Sequence, residues 1–550
     1  RPPRSTLFPY TTLFRSLSIA DVVAVARQRR AVKIGPRALR LMKASRAVVD
    51  TAIASGAALY GINTGFGSLS KQRISDADLA GLQRNLIRSH AAGIGEPLPV
   101  DVVRAMMLLL AASLCRGHSG VRPVVAQTIA AMLNAGITPV VPSVGSVGAS
   151  GDLAPLAAIA LAAIGEGEVT LAPSRNASVS ERPGSPVPQR NASVSERSGS
   201  PAPQRNASAS QHSAEPVPAA HALRRANIKP LTLAAKEGLA LINGTHLMAA
   251  QGALLVHDAV RLERAATLAL AMSIDACRAS VAFLDQRLYD ARPSVGVSST
   301  VAADLRRLLA GSQIVPSHAK NDTRVQDPYS LRAAPTVLSA ALDAMAPLSH
   351  AVSLELAAVT DNPLVFPDRP PHVVSGANFH GMPLALPLDY LSIALCHLAG
   401  IAERRIYLMT GAFEPESHLK PFLAPNPGLQ SGLMIAQYTA AACVNEMVTL
   451  SAPASVANIP TSAGMEDYNS FGPRAAAKAR RALDLAEHVV AIELLCAAQG
   501  IEAHRPLRSG KGVEAAHATI RRAVPPLVAD RHLTPDIEAI VRLIRADNIA

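Results

Sequence analysis

The chain has 550 residues and a formal net charge of +12, with 49% hydrophobic residues, 3% aromatics and no tryptophan. That length buries a large core and excludes a small disulfide-framed module, and the Ala- and Leu-rich composition favours long packed helices over a sheet. Part of the charge sits in peripheral stretches (Arg1, Arg4 and Arg15; five Arg against three Glu at 174–219), and the rest contains no basic run interleaved with aromatics, which points to a small anionic ligand and away from nucleic acid.

Residues 1–16, RPPRSTLFPYTTLFRS, do not resemble the sequence that follows and read as the translation of a sequencing adapter, so they are set aside from fold reasoning, with native sequence expected from about Leu17. The pattern over 19–58 is helical. A loop follows, YGINTGFG (60–67), whose glycines at 61, 65 and 67 mark a tightly turned or mobile segment. Helices are predicted at 76–91, 99–116 and 121–134. Next comes GSVGASGDLAPLA (145–157), where small residues let the backbone reverse around Ala149, Ser150 and Gly151. Gly151 has no Cβ to keep its nitrogen from the carbonyl carbon of Ala149. Ring closure and loss of water would turn Ser150 into a dehydroalanine within a five-membered imidazolone, an electrophile that no unmodified side chain supplies. Asp152 suits the N-cap and Pro155 the first turn of an apolar helix at 153–164, whose positive end would face that ring.

Residues 174–219 hold a tandem repeat: RNASVSERPGSPVPQ (175–189) recurs as RNASVSERSGSPAPQ (190–204) and, degraded, as RNASASQHSAEPVP (205–218). Rich in Ser, Pro and Arg and without an apolar face, it is predicted to be a disordered surface insertion. The Asn-Ala-Ser triplets match a glycosylation pattern, but no secretory signal accompanies them. Beyond it, helices are predicted at about 231–242, 246–285, 298–311, 328–360, 383–412, 430–455, 474–500, 512–523 and 534–546. The expected class is mainly α: an N-terminal region (17–173) carrying the Ala-Ser-Gly loop, then a long-helix bundle and C-terminal helices (220–550). The five cysteines lie far apart with no C-x-x-C pair, so neither a disulfide frame nor a metal site is expected. Apolar stretches such as 106–115 and 247–256 are too short to span a bilayer, and a cytoplasmic protein without membrane or nucleic-acid partners is expected.

The string at 145–157, with motifs elsewhere, resembles the signature of the aromatic amino acid ammonia-lyases. The resemblance implies a methylidene-imidazolone formed autocatalytically from Ala149-Ser150-Gly151, no external cofactor, and a homotetramer whose sites draw on several subunits. It makes Tyr60 of YGINTGFG the general base; a phenol with an unperturbed pKa near ~10 needs that value lowered to act at neutral pH. In VQDPYSLR (325–332), Asp327 and Pro328 suit N-cap and first-turn positions, so Tyr329 and Arg332 stand one turn apart on one face. By resemblance Gln326 and Tyr329 line the site, Tyr329 with a catalytic part, and Arg332 holds the substrate carboxylate in a two-pronged bond. Asn243 of LINGTH is implied to position electrophile and substrate, Phe379 of SGANFHG to pack near the imidazolone, and Asp361-Asn362-Pro363 to be structural. Ser89-His90 resembles the pattern of the family's histidine-acting members, and Glu466 of TSAGMEDYNS matches a glutamate placed beside an imidazole, whose N–H a carboxylate accepts. Departures are Gly464-Met465 for Asn-Gln, Tyr468 for His, His246 for Gln and Met382 for an acidic residue. The implied reaction is elimination of ammonia from L-histidine to give trans-urocanate. The alternatives are a phenylalanine or tyrosine lyase, an aromatic aminomutase and, outside enzymes, an inactive helical scaffold.

Overall fold

The computed structural model describes residues 10–12, 17–55, 62, 64, 74–75, 78–172, 215–292, 296–320 and 322–549. Tyr60 and residues 175–214 of the repeats, on which two of the expectations above fall, lie outside the described residues.

The single helical run expected over 19–58 is two helices, α1 (Ile19–Ala26) and α2 (Pro36–Ala54), with a short strand, Ala31–Lys33, between them. Ser18 and Asp21 close a reciprocal box at the start of α1, and Pro36 opens α2, where a missing N–H costs nothing. Then come α3 (Leu79–His90), α4 (Val100–Cys115), α5 (Pro123–Asn134) and α6 (Leu153–Ala163), close to their predicted positions. Every residue of α4 from Val102 to Cys115 is buried, as befits a helix apolar on all faces.

The strand Glu168–Leu171 pairs antiparallel with Val217–Pro218, setting Val169 opposite Val217, so the repeat segment leaves and returns at one sheet edge. The predicted insertion therefore ends too late: residues 217 and 218 are strand, and α7 (Ala219–Arg225) starts at once. It is followed by α8 (Glu237–Ile242), α9 (His246–Ala276), α10 (Gln286–Asp290) and α11 (Gly296–Leu308). The helix predicted at 328–360 is broken into α12 (Tyr329–Arg332), α13 (Ala334–Asp343) and α14 (Met345–Glu355). Pro335 and Pro347 explain the breaks, since neither can donate to a preceding carbonyl and each falls in the first turn of the next helix. The rest is α15 (Met382–Gly411), α16 (Met434–Leu450), α17 (Gly472–Glu502), α18 (Lys511–Ala523) and α19 (Thr534–Arg545).

Three helices form the axis of the molecule. α9, α15 and α17 have 31, 30 and 31 residues, and at about 1.5 Å per residue each is roughly 45 Å long. They run in the same direction. At their starts, Gly381 and Gly472 both stand against the side chain of Met248, too close for a Cβ. Towards their ends, Ser273 donates to Glu493 at 2.7 Å, and Arg405 donates to both oxygens of Glu493 at 2.5 and 2.9 Å, with the Arg405 and Glu493 side chains fully buried. By length and composition alone, α15 and the α13–α14 run are long and apolar enough to cross a bilayer, unlike the shorter apolar stretches expected from the sequence. In this fold α15 packs against α9, α14, α16 and α17.

Candidate active site

Because the three long helices are parallel, their N-terminal ends, where backbone N–H groups are unsatisfied and the potential is positive, gather at one end of the bundle. The Ala-Ser-Gly loop lies there. Gly148 and Gly151 have φ of +67° and +74°, and a Cβ would stand 2.1 Å from Ser470 Oγ at the first and 2.2 Å from the Gly244 carbonyl oxygen at the second. No other residue fits either place. On one side the Asp152 N–H donates to the Gly244 carbonyl at 2.7 Å and the Gly244 N–H to the Ser150 carbonyl at 3.4 Å. On the other, the Phe471 N–H donates to the Val147 carbonyl at 2.9 Å and Ser470 Oγ to the Gly148 carbonyl at 3.2 Å. Ala149 is buried and Ser150 half-buried between these clamps. Gly151 is thus held in the left-handed region within a backbone reversal.

Asp152 corrects an expectation. It occupies the N-cap position of α6 but makes no side-chain bond to that helix. Its carboxyl instead accepts from the N–H groups of Leu247 and Met248, at 2.8 and 3.2 Å, and from Ser146 Oγ at 3.2 Å. It caps α9 across the site. Burial pushes its pKa up to about 7, against the pull of these hydrogen bonds.

Asn243 lies between α8 and α9, its amide donating to the Asn362 carbonyl at 3.0 Å and to Asp361 at 3.4 Å. Asp361 is itself held by buried Lys236 at 2.7 Å, so the Asp-Asn-Pro motif is the bracket that fixes Asn243. Asn243 Oδ1 is buried with no partner among the described residues, an acceptor turned out of the protein's own hydrogen-bond network. Behind it, Thr245 donates to Glu355, and neither ring nitrogen of His246 finds a partner among the described residues.

Burial pushes the His246 pKa down to about 3, so its ring is neutral. As pH falls from the ordinary histidine value toward that figure, the unfolded chain takes up a proton that the folded chain does not, and stability falls. His246→Gln lacks this term. It is expected to lose less unfolding free energy than the parent between about pH 7 and about pH 5 in urea titrations. Equal losses in the two proteins would contradict the assignment.

Other candidates approach the same end. His90 closes α3, its Nδ1 lying 2.8 Å from the Leu86 carbonyl and 3.1 Å from Ser89 Oγ. The carbonyl can only accept, so Nδ1 is the donor in that contact. Just beyond it, the strand Ile94–Pro97 pairs antiparallel with Pro142–Val144, which leads into the Ala-Ser-Gly loop. Glu466 precedes Ser470 by four residues and is oriented by Thr461 Oγ1, which donates to Oε2 at 2.8 Å. Phe379 is half-buried beside His380, whose Nε2 lies 3.1 Å from the Tyr468 carbonyl.

Gln326, Tyr329 and Arg332 are not brought to this end. Pro328, not Asp327, is at the N-cap of α12, and the Asp327 carboxylate accepts from Ser280 N–H and Oγ at 2.9 and 2.6 Å, beyond the C-terminus of α9. Arg332 donates to the Asp327 carbonyl at 2.9 Å and lies over the Tyr329 ring at 4.3 Å, so the two do share a face. The length of α9 separates this cluster from Asp152, roughly 40 Å in one chain. Gln326 and Tyr329 are exposed.

Residues 17–522 match the family model for aromatic amino acid lyases. The chain belongs to the aromatic amino acid lyase family. It is 46% identical to the histidine ammonia-lyase of Anaeromyxobacter dehalogenans over 96% of this chain and 97% of that one, and 44% identical to that of Deinococcus radiodurans over 96% and 91%. Among solved structures, the histidine ammonia-lyase of Trypanosoma cruzi superposes with a TM-score of 0.83 at 36% identity, covering 97% of this chain and 92% of that one. Tyrosine aminomutase from Streptomyces globisporus superposes with a TM-score of 0.85 at 31% identity, covering 98% and 97%.

Sequence reasoning about this family member missed two supports. Lys236 is a lone cation in an apolar run, and its buried ammonium called for a carboxylate; Asp361 supplies it. Glu355, whose carboxyl burial pushes up, had no sequence signal.

Proposed function

We propose that the chain eliminates ammonia from L-histidine to give trans-urocanate, at sites each assembled from more than one copy of the chain. The observation that carries this reading is Glu466, oriented by Thr461 beside the loop that clamps Gly148, in a chain similar along nearly its whole length to histidine ammonia-lyases. A carboxylate there accepts the imidazole N–H of histidine and favours its charged form, whereas a phenyl ring offers it nothing.

The methylidene-imidazolone formed from Ala149, Ser150 and Gly151 supplies an electrophile that activates the substrate. The chain's residues do the rest. Arg332 holds the carboxylate through two parallel N–H donors, with Tyr329 against the amine or the ring and Gln326 beside them. Asn243 offers Oδ1 to a substrate N–H, and His90 and Phe379 bound the ring. Tyr60 removes the β proton, and the gathered helix N-termini favour the negative charge that develops as it leaves. Sited roughly 40 Å from Ser150 in its own chain, Arg332 acts on the loop of another copy.

The surface supports that assembly. α16 has an apolar sequence yet buries Ala436, Ala440 and Met447 alone, leaving Ile435, Tyr438 and Val448 more than half exposed. A helix of this kind belongs inside an assembly, and a cytoplasmic homotetramer is the form we assign.

The tyrosine aminomutase likeness favours a second reading, in which ammonia returns to the β carbon. Substrate preference tests the first. Glu466→Gln is expected to lower kcat/KM for histidine roughly 10- to 100-fold, the worth of one hydrogen bond to a charged group, without lowering any turnover of phenylalanine. Unchanged histidine turnover would remove Glu466 from the imidazole.

A further inference from the structure

Away from the loop, α1, α4, α9, α17 and α19 meet around a cavity of about 430 Å³. Its wall carries Arg27, Arg261, Arg480 and Arg545 together with Asp101, Asp258, Asp484 and Glu487, and Gln251 lines it near the start of α9. Three of the guanidinium groups gather on one carboxylate. Arg27 donates to both oxygens of Asp258 at 2.5 and 2.8 Å, Arg480 Nη1 donates to it at 2.8 Å, and Arg261 donates from Nη2. Against a burial that would raise it, they hold the Asp258 carboxyl down to about 2. The remaining acids are engaged elsewhere: Asp101 with Arg27 at 2.9 Å, Glu487 with Arg545 at 2.6 Å, and Asp484 with Arg545 at 3.6 Å.

The donors are not all used. Arg480 gives Nη1 to Asp258, but Nε and Nη2, its side-on edge, are buried without an acceptor among the described residues. Arg261 Nε is in the same condition. Opposite in character is Gln251 Oε1, a buried acceptor without a donor, on a residue 7% exposed. All three residues line the same cavity. The Nε–Nη2 edge of an arginine presents two parallel N–H groups at the spacing of two oxygens on one oxyanion.

We propose that this five-helix junction binds hydrogen phosphate. Two phosphate oxygens take the side-on edge of Arg480, a third accepts from Arg261 Nε, and the P–OH donates to Gln251 Oε1. Each orphaned group then has a partner. Sulfate and dicarboxylates suit the arginines but carry no proton for Gln251 at neutral pH, and this separates phosphate from them. The bound anion ties α9 to α17 close to the site end of both: Gln251 is one turn beyond Leu247, whose N–H holds Asp152.

The test is calorimetric titration of the full chain with inorganic phosphate, and separately with sulfate, at constant ionic strength. One saturable phosphate per chain is expected, with sulfate at least about tenfold weaker. Arg480→Lys, which keeps the charge and loses the parallel donors, is expected to weaken phosphate at least about tenfold. Asp484→Asn removes a negative charge from the wall on a side chain 35% exposed, and is expected to tighten phosphate severalfold. Absence of saturable phosphate binding, or sulfate as tight as phosphate, would overturn the proposal. So would affinity unchanged in Arg480→Lys; if that variant does not fold, unchanged affinity in Asp484→Asn decides the matter in the same direction.

Discussion

Two inactive variants, Ser150→Ala and Arg332→Ala, are expected to regain activity when their chains are mixed in one assembly. On the proposed mechanism each alone is crippled: the first lacks the serine from which the electrophile would be made, and the second loses the two-pronged contact proposed for the substrate carboxylate, worth roughly 10²-fold or more. In one chain the two residues are separated by the length of α9, since Arg332 is tied through Asp327 to Ser280 at one end while Asp152 caps Leu247 and Met248 at the other. On the proposed reading, a site takes Ser150 from one copy and Arg332 from another. With random mixing, about one quarter of the sites draw an intact Ser150 and an intact Arg332 from complementary chains. Co-expression with two affinity tags, purification of the mixed species and assay of histidine turnover should recover activity near that fraction. Activity no higher than the sum of the two variants would place both residues in the same chain's site.

The long helices were legible from their apolar runs, because a helix buried on most faces must be apolar on most faces; α4, α9 and α17 illustrate this. Prolines are legible as breaks: Pro335 and Pro347 divide a stretch whose hydrophobicity alone reads as continuous. The loop at 145–152 was legible because the glycines at 148 and 151 have no alternative residue in those conformations. What the sequence could not convey is which helix end a capping residue serves. Asp152 and Asp327 each precede a helix by one or two positions, yet one caps α9 and the other holds Ser280, because tertiary partners outcompete the local N–H groups. Nor does spacing along a chain reveal that the Ala-Ser-Gly loop and the 325–332 motif stand at opposite ends of a bundle. That follows from the parallel run of α9 and α15, visible once Met248 meets Gly381 at one end and Arg405 donates to the Ser330 carbonyl at 3.1 Å near the other.

The largest single effect is expected from Ser150→Ala by itself. In the proposed mechanism the hydroxyl is the group lost as the serine becomes part of the imidazolone, so alanine would leave the loop without its electrophile. The fold is spared, since the reversal is fixed by the glycines at 148 and 151 and by the clamps from Gly244, Ser470 and Phe471, none of which uses the Ser150 side chain. Deleting a group that acts covalently costs roughly 10³-fold or more in kcat, far beyond the cost of a lost hydrogen bond. The decisive measurement is the ultraviolet absorbance of urocanate formed from L-histidine by the purified parent and by Ser150→Ala, side by side at saturating substrate. Steady formation by the parent, with the variant slower by roughly that factor, is the expected result. Equal rates in the two proteins would mean that the Ala-Ser-Gly loop is not the source of the catalytic electrophile.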